Sequence, residues 1–181
     1  LSAARFDWPA KKMTMIGITG TKGKTTTTHM LKAILEAAGK KTGTIGTNGV
    51  VIGDEKYATV NTTPESYELH RYFSMMVEAG CECCVLEVSS QALKMHRVDG
   101  ITFDYAVFTN ISHDHIGPDE HENFEEYLHF KKCLFAQSKM AFINQDDEHF
   151  AAVIKAIPCE WKSFGLVSQK QTADIYADNI K

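Results

Sequence analysis

One segment constrains the fold of this 181-residue chain more than any other: Gly17-Ile18-Thr19-Gly20-Thr21-Lys22-Gly23-Lys24-Thr25-Thr26. Met13 to Thr19 is short, apolar and β-branched, and after the glycines Met30, Leu31, Ile34, Leu35 and Ala38 recur at helical spacing until Gly39. The segment therefore joins a strand to a helix, where orphan helix N–H groups and the positive dipole end favour an anion. Glycines let the backbone approach phosphate oxygens, Lys24 supplies a mobile cation, and Thr25 offers a hydroxyl to Mg²⁺. The strict G-x-x-x-x-G-K-[ST] pattern is not met, because Ile18 stands at its first glycine. Gly20, Thr21, Lys22, Gly23, Lys24, Thr25 and Thr26 are the candidate nucleotide-phosphate residues of a variant loop.

The same alternation continues down the chain. Strands are expected at Thr42 to Thr47, Cys84 to Val88, Asp104 to Thr109, Met140 to Asn144 and Trp161 to Phe164. Helices are expected at Glu65 to Ala79, Asn123 to Gln137 and Asp146 to Ile157. Repeated β-α units with near-continuous apolar strands imply an α/β fold, a mostly parallel sheet with helices on both faces. Residues 1–12 read as an irregular linker or trimmed boundary, and 13–181 as the domain. Ala173 to Lys181 looks like the opening of a further strand, so truncation on the C-terminal side is expected.

Composition closes off other classes. Lys+Arg 19 against Asp+Glu 23 gives a net charge of −4, so no basic field favours nucleic acid. No run approaches the roughly 20 apolar residues of a membrane span, and no signal peptide opens the chain, so a cytoplasmic protein is expected. The five cysteines include Cys81, Cys83 and Cys84, which lack a second paired motif at zinc spacing and read as buried free thiols.

Glu87 ends an apolar strand at the sheet edge where open α/β sheets bind ligands. A lone buried carboxylate there is costly, and a hydrated Mg²⁺ shared with Thr25 relieves that cost. Thr109-Asn110-Ile111-Ser112-His113-Asp114-His115 also follows a strand, making a second cation site plausible, with His115 preferred over His113 and His121. In the following helix Lys131 and Lys132 are both compatible with snorkelling surface lysines.

Together these residues resemble the central, ATP-binding domain of the Mur ligases, which extend the peptidoglycan precursor. T-G-T-K-G-K-T-T at Thr19 to Thr26 is shared with folylpolyglutamate synthetase relatives. N-T-T-P at Asn61 to Pro64, E-V-S-S-Q-A-L at Glu87 to Leu93, His96-Arg97-Val98 and Phe108 to His115 resemble the branch that adds the third amino acid. The resemblance implies a P-loop NTPase-like domain in which residues 20–26 hold ATP, and Thr25 and Glu87 hold the first of two Mg²⁺. Asn61, Thr62, Thr63, Ser89 and Arg97 would contact a UDP-muramoyl-dipeptide. His115 and Lys131, the latter as a CO₂-derived carbamate, would serve the second metal, with Lys24, Lys131 and His115 as the catalytic set.

The same resemblance implies amide formation through an acyl phosphate, a monomeric enzyme, and partners limited to the muramoyl-dipeptide and an amino acid. Uridine-binding N-terminal and amino-acid-binding C-terminal domains would lie outside this chain, leaving it inactive alone. Lys22 stands where most members have Asn, Gln91 where His is common, and Met95 where a polar contact is often found. Gly117 falls at a usual Asp, which leaves Asp119 and His121 outside the candidate set. Folylpolyglutamate synthetase and a non-ligating ATP-binding regulatory domain are the alternatives.

Overall fold

In the computed structural model, residues 1–114, 116–117, 121–166 and 173–177 are described. The strands are β1 (Thr14–Thr19), β2 (Thr42–Gly46), β3 (Gly49–Ile52), β4 (Glu55–Tyr57), β5 (Cys83–Glu87), β6 (Phe103–Phe108), β7 (Ser138–Asn144), β8 (Glu160–Leu166) and β9 (Ile175–Ala177). They form one sheet in the order β4-β3-β2-β5-β1-β6-β7-β8-β9. All pairings are parallel except β2 with β3 and β3 with β4.

That antiparallel hairpin is a departure from the strands expected. Its signal was the Asn48-Gly49 dipeptide: a two-residue turn, Thr47-Asn48, separates the paired Gly46 and Gly49. Gly49 has φ +90°, and a Cβ there would lie 2.3 Å from the Tyr57 carbonyl oxygen.

The helices are α1 (Ser2–Arg5), α2 (Lys24–Ala37), α3 (Ser66–Glu78), α4 (Ser90–Lys94), α5 (Phe124–Lys132) and α6 (Phe150–Ile154). Successive β1 residues point to opposite faces. Ile16 and Ile18 join Val85, with Leu31 and Leu35 of α2 packed on them. Met15 belongs to the larger cluster opposite, with Leu69, Phe73 and Met76 of α3, Tyr127 of α5 and Val153 of α6. Only part of the predicted α2 stripe is covered: Met30 and Ile34 stay 60% exposed.

Gly39 ends α2 as expected. It takes φ +79°, its N–H donates to Glu36 O, and Lys40 N–H donates to Leu35 O, both at 2.9 Å. The segment expected to be irregular, Leu1 to Lys12, holds α1 and a 3₁₀ turn at Pro9–Lys12, and the Phe6 ring lies 5.2 Å from that of Tyr67. The long helices expected at 123–137 and 146–157 are shorter. Asn123 caps α5, accepting from Glu126 N–H at 2.8 Å, and the chain then tightens into a 3₁₀ turn at Phe135–Gln137.

Cys81, Cys83 and Cys84 are buried free thiols, and burial raises the pKa of each. That fits inert core packing.

Candidate active site

The strand order places β1 between β5 and β6, so Gly20, Glu87 and Thr109 emerge side by side at the C-terminal sheet edge. This is the crevice where the crossover direction reverses and where such sheets bind ligands. β6 shapes the glycine loop. Thr109 Oγ1 donates to Lys22 O at 2.7 Å, Thr21 N–H donates to Asn110 O at 2.8 Å, and Lys22 N–H donates to Asn110 Oδ1 at 2.9 Å. Gly20, at φ +144°, lies so close that a Cβ would come within 2.0 Å of Thr109 Oγ1.

Gly23, in the left-handed region at φ +84°, opens α2 without a side-chain cap. First-turn N–H groups of α2 are thus left for a ligand. Thr25 and Thr26 lie in that turn, Thr26 exposed. Lys24 folds over the loop, its Nζ donating to Gly20 O at 2.8 Å and Thr21 O at 3.2 Å. Burial lowers its pKa, a cost that an incoming phosphate would offset. Lys22, the departure from the family pattern, pairs with Asp114 at 2.7 Å while remaining largely exposed.

Lys131 is 1% exposed, and its Nζ donates to the same Gly20 carbonyl at 2.8 Å. Burial first, and then the Lys24 charge, hold its pKa well below the usual lysine value. Burial thus favours the uncharged over the charged amine there. The structure separates the two lysines that helical position left open, of which the resemblance selects Lys131: Lys132 donates to Ala152 O and Lys155 O on the outside of the domain. Tyr127, to which sequence reasoning assigned no site role, presents its ring 4.5 Å from Lys131 Nζ and its hydroxyl 3.1 Å from Thr21 Oγ1. Its place one helical turn before Lys131 was the available signal.

Glu87 is 1% exposed and well supplied with donors. Thr25 Oγ1 donates to Oε2 at 2.9 Å, Thr47 Oγ1 to Oε2 at 3.1 Å, and Thr47 N–H to Oε1 at 3.1 Å. A buried carboxylate against a hydroxyl is an oxygen donor pair suited to Mg²⁺, which completes its shell with waters and phosphate oxygens. Among the described residues no group of three or more His, Cys, Asp or Glu side chains could hold a metal ion.

The candidates for acceptor binding adjoin this carboxylate. Thr63 Oγ1 donates to Glu87 O at 2.8 Å and accepts from Ser89 N–H at 3.0 Å; Ser89 caps α4, accepting from Ala92 N–H at 3.1 Å. Arg97 Nη1 donates to Thr63 O at 3.2 Å, and its Nε forms an ion pair with Glu65 at 2.7 Å, too oblique to be an aligned hydrogen bond. Thr62 Oγ1 lies 3.2 Å from Thr47 Oγ1, and Asn61 is half-buried in the same loop. His113 stacks on Phe124 and His121 is buried with Nε2 2.9 Å from Ser90 Oγ. His115 and Asp119 lie outside the described residues.

A family model described as "Mur ligase middle domain" matches residues 18–181. "UDP-N-acetylmuramoyl-L-alanyl-D-glutamate--2,6-diaminopimelate ligase 1" of Clostridium acetobutylicum is 44% identical over 181 residues, 100% of this chain and 36% of that protein. The ligase of the same name, without the numeral, from Clostridium perfringens is 49% identical over 157 residues, 87% of this chain and 32% of its own. The chain thus spans about a third of the length of these curated relatives.

A solved UDP-N-acetylmuramoyl-L-alanyl-D-glutamate--2,6-diaminopimelate ligase superposes with TM-score 0.82 at 27% identity, over 97% of this chain and 37% of its own. Folylpolyglutamate synthase of Mycobacterium tuberculosis shares the fold, with TM-score 0.70 at 16% identity over 92% of this chain and 47% of its own. With the loop, the strand-end carboxylate and the buried lysine in one crevice, and a family model covering nearly the whole length, this chain belongs to the Mur ligase middle domain family.

Proposed function

We propose that the full-length protein is an ATP-dependent amide ligase that adds the third amino acid to UDP-N-acetylmuramoyl-L-Ala-D-Glu, and that this amino acid is 2,6-diaminopimelate. The observation that carries the reading is the convergence of Lys24 and Lys131 on Gly20 O, each at 2.8 Å, beside the Thr25–Glu87 pair. The names of the relatives supply the acceptor and the amino acid. Flanking uridine-binding and amino-acid-binding domains complete a monomeric cytoplasmic enzyme. Among the described residues no helix is long and apolar enough to cross a membrane.

A carboxylate oxygen is a poor leaving group, so the substrate carboxylate must be activated. Its oxygen attacks the γ-phosphorus of ATP as the bond to the β-phosphate oxygen breaks, giving an acyl phosphate and ADP. The amine then attacks the acyl carbon, phosphate leaves with the C–O electron pair, and the amine proton is lost. Lys24 and the α2 N–H groups hold the phosphates, and Gly20 allows close backbone approach. Asn61, Thr62, Thr63, Ser89 and Arg97 orient the acceptor, Arg97 through its planar fork. Thr25 and Glu87 would hold one Mg²⁺, and His115 with Lys131 as its carbamate another, and ions so held would supply positive charge against the transferring phosphoryl group.

Phosphate release from Mg-ATP by the full-length parent, with and without UDP-muramoyl-L-Ala-D-Glu and diaminopimelate, tests the reading. Release that needs both co-substrates is expected. Turnover indifferent to the muramoyl-dipeptide would overturn it.

A further inference from the structure

Glu87 is tied to more than the nucleotide side of the crevice. Thr47, in the turn after β2, reaches both carboxylate oxygens, at 3.1 Å each, and its Oγ1 also lies 3.2 Å from Thr62 Oγ1. A hydroxyl has one proton and a carboxylate oxygen accepts, so the direction of the chain is set: Thr62 donates to Thr47, and Thr47 donates to Glu87. Gly46 closes the other side, since a Cβ there would come within 2.0 Å of Glu87 Oε1. The carboxylate is therefore aimed by its neighbours, and Thr47 is the one that joins it to the 61–63 loop.

We propose that Thr47 is a positioning residue that aims the Glu87 carboxylate and couples it to the Asn61–Thr63 loop, so that a divalent cation and the acceptor substrate tighten each other's binding. This rests on the functional reading above. An acceptor that orders Thr62 also orders Thr47 and Glu87, so a cation arriving second finds its ligand already fixed. By linkage the acceptor gains the same factor from the cation. Thr63 holds the loop independently through Glu87 O, so removing the Thr47 hydroxyl leaves that anchor in place.

The test is Mn²⁺ binding, followed by electron paramagnetic resonance, to the full-length enzyme with a non-hydrolysable ATP analogue. Titrations are run with and without UDP-muramoyl-L-Ala-D-Glu, whose own affinity is measured by calorimetry. In the wild type the dipeptide is expected to lower the Mn²⁺ Kd. Thr47→Val should weaken Mn²⁺ binding by about tenfold and abolish that tightening, as loss of a hydrogen bond to a charged group implies. Thr47→Ser should restore both, and Thr47→Ala carries the valine expectation should valine fail to fold. Full coupling in the valine or alanine variant overturns the inference, as does a wild type that binds dipeptide without coupling. A wild type that binds no dipeptide overturns the functional reading and the inference with it.

Discussion

Replacing Lys131 by methionine is expected to stabilise the domain at neutral pH and to lose that advantage as pH rises. Lysine and methionine fill similar space, so the change chiefly deletes a buried amine that is 1% exposed. Two terms oppose each other. The Nζ hydrogen bond to Gly20 O disappears, but that carbonyl keeps Lys24 Nζ at 2.8 Å, so about 1 kcal/mol is lost and no orphaned acceptor results.

Against this, burial holds the folded-state pKa well below 10.5. The unfolded chain therefore binds one more proton throughout the window between that lowered pKa and 10.5. Lys131 therefore makes wild-type stability gain on that of the methionine variant by about 1.4 kcal/mol per pH unit across that window. Urea unfolding of both chains from pH 8 to above the ordinary lysine pKa in CO₂-free buffer reads the difference directly. The variant's advantage should shrink with that slope and reverse by about 1 kcal/mol once pH exceeds the ordinary lysine pKa. A stability difference that does not move with pH refutes the reasoning. Added bicarbonate should stabilise wild type alone, by capturing the neutral amine.

Gly20→Ala should destabilise the domain by about 1–3 kcal/mol, because it strains a φ of +144° and drives Cβ into Thr109; thermal unfolding checks it. Gly46→Ala should destabilise the domain by about 1–3 kcal/mol and weaken Mg-ATP binding about tenfold or more, since the new methyl pushes the buried Glu87 carboxylate off its donors; thermal unfolding reads the first effect and calorimetry with and without Mg²⁺ the second. Lys22→Ala should cost under about 1 kcal/mol of stability, since its ion pair with Asp114 is 75% and 36% exposed, and the effect should fade in high salt.

Much of this was legible in sequence because it depends on local rules. The strand before Gly20, the helix after it and its stop at Gly39 follow from periodicity and glycine placement, and Glu87 from its position at the end of an apolar run. What escaped depends on contacts distant in sequence. Thr109 and Asn110 mould a loop some 90 residues away. Thr47 matters only because β2 lies beside β5, a pairing that no periodicity encodes. The same reason kept periodicity from distinguishing Lys131 from Lys132, a choice that only the family resemblance made: adjacent residues on a helix differ by direction, and direction has chemical meaning only once α5 is packed. Packing turns one lysine inward to Gly20 and leaves its neighbour on backbone carbonyls at the surface. The site is thus assembled by the sheet order, and each side chain acquires its chemistry from a partner that the order supplies.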